Sequence, residues 1–172
     1  MKKRALTAGI LAGVFAISSV AFAAWQTISV GVILQEYSNW CWVASTKSIK
    51  NPSASQCTIY KAGKQTTTCP NNTGTTANID RALEYNYGSG FAITATPVSG
   101  YPTFARIVSE IGANDPFIIG RSGHAMVGYG WCDIYSCNPI GVYVMDPWYP
   151  SAGLMTYAYL ISGWADTVET NR

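Results

Sequence analysis

The sequence predicts an α+β fold, with helices over the first half of the chain and an antiparallel sheet over the second. Two patterns predict it. Three helical segments are readable up to Gly112, two of them with apolar residues on one face, and from Phe117 onward short strand-like runs follow one another.

The elements come in this order. Ile28, Val30, Val32 and Leu34 alternate with other residues and read as a strand leading to Gln35. Ser38 and Asn39 offer N-caps for a helix over 40–49, which Asn51-Pro52 stops. Residues 53–76 are rich in Thr, Ser, Asn and Lys and read as a long loop. A short helix over 77–86 carries Ile79, Ala82 and Leu83 on one face. In a third helix Pro102 lies in the first turn, Phe104, Ile107, Val108 and Ile111 form the buried stripe, and Gly112 closes it. Strands are expected at 117–121, 124–131, 141–146 and 154–160. With no internal repeat or linker, these make one domain of two unlike lobes over 24–172.

The first residues stand apart. Lys2, Lys3 and Arg4 precede an apolar run that ends in Ala21-Phe22-Ala23, the layout of a bacterial secretory signal peptide over 1–23. The run is too short and too broken, at Ser18-Ser19, for a membrane anchor. The expected location is therefore secreted or periplasmic, with no membrane span after cleavage. Cleavage would remove three of the 11 basic residues against 9 acidic ones, leaving a slightly acidic chain. That argues against a nucleic-acid partner.

Five cysteines occur, Cys41, Cys57, Cys69, Cys132 and Cys137. An odd count in an exported chain leaves one thiol over. Cys57 and Cys69 bracket the polar loop and Cys132 and Cys137 a short turn. Four cysteines allow three pairings; these two local disulfides are the expected ones, with Cys41 free.

The chain holds one histidine, His124, the only side chain that titrates unperturbed near neutral pH. A zinc site needs several ligands, so no metal is expected. Gly88-Ser89-Gly90 lacks the spacing of a serine-hydrolase nucleophile elbow. Cys41 falls where a helix begins, and the free N–H groups there favour a thiolate. Each residue alone also fits a bland role, Cys41 as a small buried hydrophobe and His124 as a satisfied strand-end side chain.

The surroundings decide between the two. Gln35-Glu-Tyr-Ser-Asn-Trp-Cys41-Trp42 resembles the active-site segment of papain-like cysteine peptidases, in which a Gln precedes the nucleophile by six residues and an aromatic follows it. Ser122-Gly-His124-Ala-Met-Val-Gly-Tyr-Gly130 resembles the histidine strand of that class, and Val144-Met-Asp146-Pro-Trp148 its third-member segment. Within the class, Asn39 to Trp42 and Gly123 to Ala125 are similar to the small bacterial branch that includes the avirulence cysteine protease of plant pathogens. The resemblance spans about 26–162.

The resemblance implies a helical lobe carrying Cys41 packed on a sheet lobe carrying His124 and Asp146. It implies a Cys41–His124–Asp146 triad with Gln35 in the oxyanion hole, Trp42 and Trp148 at the substrate, and a protein or peptide substrate without a cofactor. A peptidoglycan amidase or endopeptidase using the same chemistry, and a non-catalytic binding module, are the competing readings. Oligomeric state is not readable from the chain.

Overall fold

The computed structural model describes residues 25–149 and 152–172; the expected signal segment 1–23 lies outside them. A seven-stranded antiparallel sheet forms the centre, with strands in the order β2-β7-β3-β4-β5-β6 and β1 paired to the end of β4. The strands are β1 (Trp25–Thr27), β2 (Thr94–Ser99), β3 (Phe117–Arg121), β4 (His124–Cys132), β5 (Gly141–Met145), β6 (Ala152–Thr156) and β7 (Trp164–Asn171). The helices are α1 (Cys41–Lys50), α2 (Gln56–Lys64), α3 (Thr76–Glu84), α4 (Phe104–Gly112) and the short α5 (Tyr157–Ile161). None of the helices in the described residues is long and apolar enough to cross a membrane.

Side-chain alternation along the strands sorts the core into two layers. Ile118 of β3, Ala125 and Val127 of β4 and Val168 of β7 face α1, α2 and α3, where they meet Val43, Ile49, Ile59, Ile79 and Leu83. Phe117 and Ile119 of β3, Met126 of β4 and Trp164 of β7 face the other way, onto Ile107 and Ile111 of α4 and Leu160 of α5. The central strands are covered on both sides, so they read as continuous apolar runs.

The helical lobe and the antiparallel sheet agree with the α+β prediction, and several elements differ in detail. Residues 28–34 form no strand beyond β1. Their backbone runs along the molecule, held by Ile28 N–H to the Tyr129 carbonyl (2.9 Å) and Gly31 N–H to the Ser48 carbonyl (3.1 Å). The expected loop over 53–76 contains α2. Its buried face is Gln56, Ile59, Tyr60 and Gly63, which has correct helical spacing but only two large apolar residues. Pro102 precedes the N-cap Thr103 of α4 instead of sitting in its first turn. The strand expected over 154–160 ends at Thr156, whose hydroxyl caps α5.

Besides β1, which precedes the expected 28–34 strand, two strands were not foreseen, and one of them is central. β7 bridges β2 and β3, yet Trp-Ala-Asp-Thr-Val-Glu-Thr-Asn has little apolar content. β2 carries Pro97 and is exposed on most positions, as an edge strand tolerates.

Both disulfides form as expected, Cys57–Cys69 and Cys132–Cys137, and Cys41 is free and buried. The buried Lys50 closes the far end of α1, donating to the carbonyls of Leu83 (2.7 Å) and Phe91 (2.9 Å). Gly90 makes that closure possible: its φ is +84°, and a Cβ there would lie 2.4 Å from the Lys50 carbonyl oxygen.

Candidate active site

Cys41 is the first residue of α1. Trp40, at the N-cap, has non-helical angles, and its side chain makes no capping hydrogen bond. The first N–H groups of the helix are therefore left without a side-chain cap next to the thiol, the arrangement that favours negative charge. Ser38 and Asn39, expected as caps, are used otherwise. Asn39 donates twice to Asn71, from its backbone N–H to Oδ1 and from its Nδ2 to the carbonyl (both 2.9 Å), and the Asn71 Nδ2 donates to Ser38 Oγ (2.9 Å).

The tryptophans flanking Cys41 anchor it to the same loop. Trp40 donates through Nε1 to the Pro70 carbonyl (3.1 Å) and stacks on Tyr60. Trp42 donates to the Asn72 carbonyl (3.3 Å). Gly74 lies directly on the Trp42 indole, where a Cβ would come within 2.5 Å. One turn on from Cys41, Ser45 Oγ donates to the Ala125 carbonyl (3.1 Å) and pins α1 to the strand that carries the histidine.

His124 opens β4. A two-residue turn, Ser122-Gly123, joins it to Arg121, its cross-strand partner, and Gly123 takes the left-handed conformation there (φ +70°). Asp146 follows β5, and its Oδ1 lies 2.8 Å from His124 Nε2. The same oxygen accepts the Trp148 backbone N–H at 3.0 Å. Trp148 Nε1–H donates to His124 Nδ1 at 3.0 Å, and its ring is more than half exposed.

The electrostatics follow from these contacts. Burial alone would lower the His124 pKa, but hydrogen bonds and charge from Asp146 and Cys41 outweigh it and raise it to about 9. Burial pushes the Asp146 carboxyl up, while His124 and the Trp148 backbone N–H pull it below its ordinary value. The indole of Trp148 can donate only to a neutral imidazole. Protonation at Nδ1 breaks that bond and frees an N–H on that edge of the ring.

Gln35 stands near this cluster through its backbone, which donates to the Pro147 carbonyl (3.1 Å). Its side chain differs from the expected pose. Nε2 donates to the carbonyls of Tyr37 (2.9 Å) and Ser38 (2.8 Å), and Oε1 is buried without a partner. The carboxamide thus spends both donors on the loop before α1.

A cavity of about 280 Å³ opens on Cys41 and His124, lined on one side by Trp42, residues 73–76 and Ile79 and on the other by Gly120, Ala125 and Asp166. Trp42 reaches it although almost fully buried, whereas Trp148 is not among its lining. Sequence reading missed Gly74, Gly120 and Asp166. A glycine in the polar 70s was a usable signal for close backbone approach; Asp166 was not findable without the β3–β7 pairing. Among the described residues, no three His, Cys, Asp or Glu side chains converge as metal ligands.

A helix-borne cysteine facing a strand-borne histidine and its carboxylate defines the papain-like class of cysteine peptidases. The chain belongs to the Peptidase_C39 like family, which it matches over residues 27–170, and it is a cysteine-type peptidase. Its fold is similar to that of a double glycine motif protease from an AMS/PCAT transporter, solved with the leader peptide (15% identity, TM-score 0.60, covering 84% of this chain and 93% of that one). It is also similar to the peptidase domain of Streptococcus ComA, a bi-functional ABC transporter involved in quorum sensing (16%, TM-score 0.58, 83% and 97%). UfSP from C. elegans shares the fold at 14% identity and a TM-score of 0.61, covering 90% of this chain but 36% of its own. No curated protein matches the sequence.

Proposed function

We propose that the chain is an exported cysteine peptidase, with a signal peptide over 1–23 and a catalytic domain over 24–172, which cleaves peptide bonds by acyl transfer at Cys41. The observation that carries this reading is the His124 imidazole, held through Nε2 by Asp146 and set beside Cys41 at the uncapped start of α1. The thiolate attacks the peptide carbonyl and forms a tetrahedral oxyanion. Protonated His124 gives its Nδ1 proton to the leaving amine, the C–N bond breaks and a thioester remains. Water, deprotonated by the now neutral His124, hydrolyses the thioester and restores the thiolate.

Asp146 holds the ring in the tautomer this requires. The backbone N–H of Cys41 receives the oxyanion, and Gln35 joins it once its carboxamide turns from the Tyr37 and Ser38 carbonyls. Trp148 leaves Nδ1 when the ring is protonated and covers the imidazole edge. Trp42 supports the cavity wall on which the substrate lies.

An extended peptide as substrate is supported by the cleft between the two lobes and by the likeness to a protease solved with a leader peptide. The Asn39-to-Trp42 and Gly123-to-Ala125 runs support a place beside the avirulence-protease branch. The deciding assay compares wild type with Cys41→Ala on unfolded casein and on purified sacculi. Cys41-dependent casein cleavage is the expected result; sacculus digestion with casein left intact would replace this reading by a cell-wall amidase.

A further inference from the structure

Asp166 is the only carboxylate among the residues lining the Cys41 cavity. Its backbone pairs with Gly120 of β3 and Ser99 of β2. Strand alternation puts it on the helix-facing side of the sheet, with Ile118, Val127 and Val168. Gly120 is what exposes it to the cavity. A Cβ at 120 would lie 3.4 Å from the Asp166 Cβ and 3.0 Å from its carbonyl oxygen, so a side chain there would cover the carboxylate.

Among the described residues the Asp166 carboxylate accepts no hydrogen bond and forms no ion pair; only the backbone carbonyl of Asp166 is used, by Trp164 Nε1 at 3.0 Å. Arg121, which also lines the cavity, is directed elsewhere. Its guanidinium lies 4.6 Å over the Tyr159 ring and packs against Gly163, where a Cβ would come within 2.3 Å of Nη2. A half-buried carboxylate left unpaired beside the nucleophile gains a charge-assisted hydrogen bond when a cation enters. The cavity is smaller than the roughly 300–1,000 Å³ of small-molecule sites, a size that suits one side chain, and its far wall of Trp42 and Ile79 would hold an aliphatic stem.

We propose that Asp166 determines specificity, forming with Gly120 a side-chain subsite beside the scissile bond that selects peptides carrying lysine or arginine there. The subsite rests on the reading of Cys41 as a peptidase nucleophile. The test therefore reads Cys41 labelling instead of turnover. Peptidyl epoxides identical except for Lys, Leu or Glu at each of the two positions nearest the warhead are reacted with the protein, and adduct formation is timed by intact mass. At one position the Lys probe should label wild type at least about tenfold faster than the Leu probe. Asp166→Asn, nearly isosteric, should collapse that Lys-to-Leu ratio, and Asp166→Lys should place the Glu probe ahead of the Lys probe. Equal Lys-to-Leu ratios in wild type and Asp166→Asn, with His124-dependent labelling intact, would overturn the subsite alone. Failure of every probe to label Cys41 in a His124-dependent way would overturn the peptidase reading, and the subsite with it.

Discussion

His124 carries three relationships at once: Asp146 on Nε2, Trp148 on Nδ1, and Cys41 near enough to help raise its pKa. Since its pKa is raised to about 9, the imidazolium persists across neutral pH and is lost above it. Turnover should therefore fall as pH rises through about 9. Asp146 is held below its ordinary value, so loss of activity through its protonation should appear only on the acid side of the ordinary carboxylate range. A pH–rate profile checks both limbs, and a basic limb near pH 6.5 would mean that Asp146 and Cys41 do not support the cation. Stability follows the same sign. A raised pKa contributes fully below the unfolded value of about 6.5 and is lost on approach to 9. The melting-temperature gap between wild type and His124→Ala should accordingly narrow over that interval. Trp148→Phe keeps the ring but deletes the N–H that donates to Nδ1. Iodoacetamide should then alkylate Cys41 faster at pH 9–10, where the indole otherwise occupies the neutral imidazole; an unchanged rate would show that the bond does not restrain the site. For Gln35→Ala, loss of one oxyanion donor costs about 10²–10³ in kcat. If the carboxamide instead keeps its donors on Tyr37 and Ser38, the loss will appear in Tm and not in kcat.

The loop from Cys69 to Gly74 acts at the scale of elements. The Cys57–Cys69 bond ties it to α2, and its carbonyls at Pro70 and Asn72 receive the indoles on either side of Cys41. The Cys132–Cys137 bond closes a turn at the other end of β4, away from this network. Chain-entropy arithmetic gives about 3 kcal/mol for a loop of the first size and about 2 for the second, so the stability losses should be similar. Activity should separate them: Cys57→Ser/Cys69→Ser should depress kcat/KM at temperatures where the domain is still folded, and the Cys132→Ser/Cys137→Ser pair should not. Equal kinetic losses would remove the loop from any role in placing Cys41. Gly74→Ala is a sharper probe of the same contact, since its Cβ meets the Trp42 ring rather than a flexible chain end.

These elements also show what the sequence could reveal. The β3–β4 turn before His124 and the Asp-Pro after β5 each leave a local signature, since turns and Pro act over a few residues, whereas α1 starts without the Ser38 or Asn39 cap that pointed to it. α2 left only a polar helical face, and β7 derives its place from partners on both sides instead of from its own apolar content. The cavity wall, with Gly120 opposite Asp166, exists only once β3 and β7 pair across more than forty intervening residues. Local chemistry was legible, and long-range juxtaposition was not.

For the whole molecule, the disulfides and the N-terminal segment make a joint claim about where the protein folds. β1 begins at Trp25 and pairs at once with the end of β4, Trp25 opposite Cys132. A chain cut after Ala23 would thus keep one residue before the sheet starts. The Cys132–Cys137 bond closes beside that pairing, and the second bond holds the loop under the active-site helix. Disulfides form and persist in oxidising compartments, which the proposed export would supply. Expression with the native N-terminus in a bacterial host should therefore yield periplasmic protein whose first residue is Ala24 and whose mass shows four cysteines oxidised and one free. The 24–172 segment made in the reducing cytoplasm should carry five thiols and melt several degrees lower, and it should recover the higher melting temperature on mild oxidation with Cys41 still titrating as a free thiol. Oxidation that consumes Cys41 would mean that the pairing depends on export and not on the fold. Cytoplasmic retention of the native-start protein with residues 1–23 intact would remove the exported part of the proposed function and leave the Cys41 chemistry to be judged by the casein assay.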